Sequence, residues 1–240
     1  MRLQSVIRAI YPPQCVACDA LTDADFGLCG ACWSKTAFID GLVCDSCGTP
    51  LPGDDDGVRV QCDACMTIAR PWDQGRAVFE YSGVGRRLVL GLKHGDRTDL
   101  VPAVARWMVQ KTAKMALLDP IIVPIPLHWT RLLKRRYNQS ALLAQAVGKI
   151  LDHPVCVDAL LRPKKTKLLD GHSRDARFAT LADAITANPK RHSQIMGRNV
   201  LLVDDVMTSG ATLAASTEAL RAAGAANVSI VTLARVVKDA

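Results

Sequence analysis

Four C-x-x-C pairs crowd the first 65 residues, and they constrain this chain more than any other feature: Cys15/Cys18, Cys29/Cys32, Cys44/Cys47 and Cys62/Cys65. A C-x-x-C turn aims two thiolates at one point, and two such turns complete a tetrahedral metal site. Ten residues separate the first two pairs and fourteen the last two, loop lengths that suit zinc ribbons. A segment this short buries too little apolar surface to fold by itself, so zinc ligation would supply much of its stability. A disulfide framework is the competing reading, and a cytosolic chain disfavours it. The spacing leaves open one Zn2+ ion or two, and sequential or interleaved pairing. Gly30, Gly48 and Gly53 read as tight turns, and Asp54, Asp55 and Asp56 as a solvated loop. Aspartates at 19, 23, 25, 40 and 45 keep the segment from being basic, which favours a structural or partner-binding role over nucleic-acid binding.

After residue 65 the only cysteine is Cys156, and so sharp a step in composition marks a boundary. Residues 1–71 are expected to form the ribbons and residues 72–240 a second domain. With 49% hydrophobic and 22% charged residues, the chain reads as globular. No run of 18 uncharged apolar residues occurs, so no integral membrane segment is expected. The five residues before Arg8 are too short for a signal-peptide core, and the expected location is cytoplasmic. A net charge of +7 leans weakly toward a polyanionic partner. Aromatics make up only 5%, leaving few rings for stacking on single strands.

Residues 199–213, NVLLVDDVMTSGATL, carry most of the functional information. Val200, Leu201, Leu202 and Val203 form a continuous aliphatic run, the mark of a parallel strand buried on both faces. Asp204 and Asp205 follow, then a small-residue turn, Thr208, Ser209, Gly210, Ala211 and Thr212, which opens a helix over 213–223 closed by Gly224. Backbone N–H groups of such a turn, at a helix N-terminus, suit a phosphate dianion. Two adjacent acids at the end of a buried strand are costly to desolvate unless they accept hydrogen bonds from a sugar diol or hold a cation. A ribose 5-phosphate unit with vicinal hydroxyls satisfies both ends of the motif.

VLLVDDVMTSGAT is similar, position for position, to the signature of type I phosphoribosyltransferases that bind 5-phosphoribosyl-1-pyrophosphate (PRPP). That resemblance implies Asp204 and Asp205 on the ribose hydroxyls, in the catalytic role, and Thr208, Ser209, Gly210, Ala211 and Thr212 around the 5-phosphate. The stretches PPQCVAC, LCGACW, LKHGDR, VPIPLHWTRLLKRRYNQSALLA and the PRPP loop, in this order, resemble the ComF family. Its members join a double zinc ribbon to a phosphoribosyltransferase domain and are associated with competence, the uptake of DNA in natural transformation. The resemblance thus implies an α/β fold, a largely parallel sheet flanked by helices, with a small N-terminal double zinc ribbon. It names Mg2+ with PRPP as the ligand. Single-stranded DNA, the DNA-uptake machinery and a homodimer partner stay open.

Residues 127–137 hold Arg131, Lys134, Arg135 and Arg136 just before a helix expected to be capped by Asn138, with Leu142, Ala146 and Ile150 inward. Related enzymes bind pyrophosphate after the corresponding strand, so Arg131, Arg135 and Arg136 are its expected ligands. His128 reads equally as a structural histidine. Residues 162–177 carry six Lys or Arg against two Asp and read as a loop where related enzymes have a lid. Leu169 and Thr180 depart there from the family pattern of Gln and Asn. Lys93, in LKHGDR, is read at even odds as functional or as a surface lysine. His94, His153, His172 and His192 show no ligand spacing, and Cys156 reads as a buried strand residue.

The expected chemistry is loss of pyrophosphate from ribose C1, with the acid pair stabilising the positive charge that develops on the sugar. No residue set points to a particular acceptor. Cys15 is interior and paired with Cys18, which argues against a complete amidotransferase. Three readings are carried forward: a PRPP-dependent transferase, a PRPP sensor without turnover, and an accessory that handles single-stranded DNA. Beyond the ribbons the expected elements are a strand over 77–81, helices over 84–92 and 99–117, and strands near Ile121, Val155, Val200 and Val228.

Overall fold

A computed structural model describes residues 11–23, 25–164 and 184–237. Its centre is a four-stranded sheet in the order β1-β6-β5-β2, built from β1 (Gln74–Glu80), β2 (Ile121–Pro124), β5 (Asn199–Met207) and β6 (Asn227–Arg235). Every pairing in it is parallel. The aliphatic run of β5 lies inside the sheet, and Val200, Leu201, Leu202 and Val203 are at most 1% exposed. A separate antiparallel pair joins β3 (Leu160–Leu161) to β4 (Thr186–Ala187).

The strand expected near Val155 shrinks to a single bridge between Val155 and Ile122. Ile122 donates to the Pro154 carbonyl and Cys156 donates back to Ile122. Pro154 has no N–H with which to extend that ladder. Cys156 is buried as expected, but it stands just past the bridge rather than in a strand.

Short helices α1 (Gly30–Ser34) and α2 (Asp63–Thr67) belong to the ribbons. The longer ones are α3 (Gly83–His94), α4 (Val101–Thr112), α5 (Trp129–Arg135) and α6 (Gln139–Leu151), followed by α7 (His192–Ile195) and α8 (Ala211–Ala222). Helix α4 ends at Thr112, short of the expected 117. The Thr112 hydroxyl donates to the Val109 carbonyl at 2.7 Å, a local bond that competes with the helical ladder.

Helix α6 starts where expected, with the Asn138 side chain accepting from the Ser140 N–H. Its inward face is different: Gln139, Ser140, Leu143, Ala144, Val147 and Gly148 are buried, while Ile150 is 45% exposed. The small residues decide the rotation. A Cβ at Gly148 would meet Val155 Cγ2 at 2.3 Å, so this face seats the helix against the sheet edge more closely than Leu142 and Ile150 could.

Two apolar layers cover the sheet. One gathers Ile121, Val123, Val200, Leu202, Val228 and Ile230 with the Leu213 side of α8, and it includes Cys44, Cys47, Cys65 and Trp72. The other gathers Val78, Ile122, Leu201, Val203, Val231 and Leu233 with α3, α4 and α6, and it includes Cys15, Val16 and Cys32. Alternate residues of β2 and β5 feed alternate layers, so the two cysteine groups pack over opposite faces of one sheet.

Candidate functional site

The eight amino-terminal cysteines form two sets, Cys15, Cys18, Cys29 and Cys32, then Cys44, Cys47, Cys62 and Cys65, with the sulfurs of each set within 4.8 Å of one another. Pairing is therefore sequential, and there are two sites. Cys18 and Cys29 sulfurs are 3.7 Å apart, as are those of Cys47 and Cys62. A tetrahedral zinc with bonds of about 2.3 Å needs sulfur separations of about 3.8 Å, so the donor sets fit Zn2+. None of the cysteines is in a disulfide. Cys29 and Cys62 each lead into a short helix, α1 and α2, so Gly30 opens a helix and is not the turn glycine expected; Gly48 and Gly53 do adopt positive φ. Hydrogen bonds with Cys44 and Cys65 hold the Cys47 thiol far below its usual range, and the Arg235 charge adds to them.

At the carboxyl ends of β2 and β5 lies a cleft of about 430 Å3, lined by Asp204, Asp205, Thr208, Ser209, Gly210, Ala211 and Thr212 together with Arg131 and Arg135. The acid pair and the basic segment, 70 residues apart in sequence, thus share one cavity. Arg136 does not line it. That residue adopts φ 67° as the left-handed cap of α5 and is exposed. The basic segment itself is helical, because the buried His128 caps α5 through Nδ1, which accepts from the Thr130 N–H.

Among the residues that the sequence did not commit to the site, Lys93, Gln139, Ser140 and Arg162 stand in it. Lys93 Nζ is 3.3 Å from Asp205 Oδ2, and Gln139 Nε2 donates to the same oxygen at 3.1 Å. Ser140 Oγ donates to Asp204 Oδ1 at 2.8 Å, and the Asp205 N–H reaches that oxygen at 2.9 Å. The Asn138 cap was the available signal for Gln139 and Ser140, since a cap at the end of β2 turns the first helical residues toward the neighbouring strand. Asn138 is fixed in turn by donating to the Ile125 carbonyl at 3.0 Å. Tyr137 Oη donates to the Leu92 carbonyl at 2.7 Å, which binds the basic segment to the end of α3 that carries Lys93. His94 also reaches the lining. Most of the predicted lid, residues 165–177, and its departures at Leu169 and Thr180 lie outside the described residues.

Like charges are pressed together at both ends of the cleft. Burial pushes the Asp204 carboxyl up to about 7, with the Asp205 charge adding to the shift and the Ser140 hydrogen bond and Lys93 opposing it. Burial, and then repulsion from Arg135, lower the Arg131 pKa. Burial also lowers that of Arg162, repulsion from Arg131 adds to it, and the Asp204 charge opposes it. A ligand that offers hydroxyl donors to the acids and anionic oxygens to the arginines would relieve both ends at once.

The turn itself is shaped by Gly210, which caps α8 with φ 84°. A Cβ there would lie 2.8 Å from Met207 Cε and 3.1 Å from the Trp72 ring, and positive φ is strained for other residues. The first N–H groups of α8 have no intrahelical partners, which is the arrangement that receives anions. Among the described residues, the two four-cysteine sets are the only groups of three or more His, Cys, Asp or Glu that could hold a metal. The acid pair alone is not a ready-made cation cage.

Sheet, cleft and cysteine sets together define a class: a type I phosphoribosyltransferase fold bearing an N-terminal double zinc ribbon with two four-cysteine sites. Family comparison agrees, matching a double zinc ribbon domain over residues 6–66 and a phosphoribosyl transferase domain over residues 138–239. The DNA utilization protein YhgH of Escherichia coli O157:H7 is 29% identical over 216 residues, 88% of this chain and 91% of that protein. Competence protein F of Haemophilus influenzae is 28% identical over 228 residues, 92% and 96% of the two chains. Competence protein ComFC of Bacillus subtilis is 29% identical over 221 residues, 90% and 87%. This pair of domains and these relatives are consistent with the ComF family. No helix among the described residues is long and apolar enough to cross a membrane.

Proposed function

We propose that the cleft binds Mg2+–PRPP and that the protein transfers the phosphoribosyl group to an acceptor with release of pyrophosphate. One observation carries this reading: acid pair, small-residue turn and arginines line a single cavity, although they come from separate crossovers of the sheet. Asp204 and Asp205 receive the ribose diol, Thr208, Ser209, Gly210, Ala211 and Thr212 take the 5-phosphate, and Arg131 and Arg135 face the pyrophosphate. Arg136, outside the lining, is left without that role. Lys93 and Gln139 hold Asp205, and Ser140 holds Asp204, so both carboxylates are oriented before the ligand arrives.

The residues fit a hard cation only in company with the ligand, because Mg2+ keeps several waters and takes one or two carboxylates plus substrate phosphates. When bound it supplies charge neutralisation to the pyrophosphate. The chain's own contribution is electrostatic: cations on the departing group and an acid pair beneath a sugar that becomes positive at C1. Residues 1–71 act as a structural unit held by two Zn2+ ions, and residues 72–240 carry the site. Since the relatives are named for competence and DNA utilization, the proposed setting is the cytoplasmic handling of DNA during uptake.

Pyrophosphate release from Mg2+–PRPP, assayed against pools of nucleobases, nucleotides and amines, tests the transfer step. Release that vanishes in Asp204→Ala/Asp205→Ala supports the transferase. Saturable binding without release against any pool would instead make the protein a PRPP sensor, for which the same residues serve.

A further inference from the structure

The second four-cysteine set is joined to the small-residue turn by one side chain. Arg70, five residues after Cys65, directs Nε at Cys65 Sγ at 3.5 Å and Nη1 at the Ser209 carbonyl at 3.0 Å. Its guanidinium lies 5.5 Å from the centre of the Trp72 ring, and Trp72 Nε1 donates to the Ser46 carbonyl within the Cys44–Cys47 knuckle. From the other side Arg235, beside Met207 in the sheet register, donates to Thr49 Oγ1, and that hydroxyl is 3.3 Å from Cys47 Sγ. Both knuckles of this ribbon are therefore anchored where β5 hands over to α8.

The direction of the Ser209 carbonyl matters. No peptide in the described chain is cis, and in a planar trans peptide the carbonyl and the next N–H point opposite ways. A Ser209 carbonyl held by Arg70 on the ribbon side turns the Gly210 N–H away from the ribbon, to the side of the cleft. Gly210 makes this possible: its α-carbon lies so close that a Cβ would sit 3.2 Å from Arg70 Nη1.

We infer that Arg70 is a positioning residue, which carries the rigidity of the second four-cysteine site into the turn and aims the Gly210 N–H at the ligand's phosphate. This rests on the proposal that the turn binds a 5-phosphate. The first four-cysteine set packs on the other face of the sheet, away from this turn. The second ribbon is then part of the binding site's framework, and the first a brace for α3.

The test compares wild type, Arg70→Met and Arg70→Lys as full-length zinc-loaded protein. It measures zinc content, the Gly210 amide by nuclear magnetic resonance and hydrogen exchange, and affinity for Mg2+–PRPP and for inorganic phosphate. The expected result for Arg70→Met is a displaced and faster-exchanging Gly210 amide and about tenfold weaker binding of both ligands, with two zinc ions retained. Arg70→Lys, which keeps the charge and can still reach the Ser209 carbonyl, restores part of both. An unchanged Gly210 amide and unchanged affinity in Arg70→Met overturns the inference, and so does loss of zinc in step with loss of affinity in both variants. A wild type that binds neither ligand removes the proposed function, and the Gly210 amide still decides the role of Arg70.

Discussion

Lys93 and Asp205 meet at 3.3 Å inside the cleft, the lysine from the last turn of α3 and the acid from the end of β5. The pair settles how two adjacent carboxylates can coexist there. Asp205, 5% exposed, has Lys93 and Gln139 as partners, while Asp204 is held by Ser140 and the Asp205 N–H, and burial raises its pKa. Lys93→Met should therefore lift the Asp204 midpoint above about 7 and weaken Mg2+–PRPP binding about tenfold, the loss of one charge-assisted contact. Carboxyl resonances followed through a pH titration, with calorimetry beside them, measure both.

Asp204 should also make stability depend on pH in an unusual sense. Its folded-state pKa, raised to about 7 mainly by burial, exceeds the unfolded value of 3.8. Between those values the folded state binds more protons than the unfolded one, so this group's contribution falls as pH rises from about 4 to about 7 and is level above. Asp204→Asn should raise the melting temperature at pH 8 by several degrees and change it little at pH 4. Calorimetric scans at the two values decide this. Ligand binding near pH 6.5 should release a proton, seen as a dependence of binding heat on buffer ionisation enthalpy.

Arginine substitutions separate the cleft from its surroundings. Arg131→Met and Arg135→Met should each weaken pyrophosphate-containing ligands about tenfold and flatten the salt dependence of affinity. Arg136→Met, changing an exposed cap outside the lining, should leave affinity within about twofold. Titrations at two ionic strengths provide the comparison.

Zinc content should be two ions per chain, falling to one in Cys18→Ser and in Cys62→Ser, which touch separate sets. Because each set packs into a different layer of the core, each variant should lower the melting temperature by roughly 10 °C or more. Elemental analysis with thermal unfolding is the measurement.

Gly210→Ala tests the turn. The left-handed backbone should cost about 1–2 kcal/mol, and the crowding by Met207 and Trp72 adds to it. Lower thermal stability together with weaker phosphate binding is the expected outcome.

Much of this was legible in the sequence because the signals were local. An uninterrupted aliphatic run at 200–203, acids directly after it and a hydroxyl-rich turn before a helix describe β5, the site and α8 with little help from tertiary structure. Cysteine spacing pointed to the ribbons, but it could not choose between sequential and interleaved pairing, which depends on how the knuckles fold back in space. Lys93 was ambiguous for a similar reason: its partner lies more than a hundred residues away. The rotation of α6 escaped because Gly148 and Ala144 matter as small residues under close packing, while hydrophobicity drew attention to Leu142 and Ile150. Arg136 was credited for standing near a helix start, and its left-handed cap conformation took it out of the cleft.

Calorimetric titration of PRPP with Mg2+ into the wild type and into Asp204→Ala/Asp205→Ala tests the central claim most directly. Saturable binding by the wild type and at least about a hundredfold loss in the double variant, with zinc content and fold unchanged, is the predicted result. Equal affinity in the two proteins would contradict it.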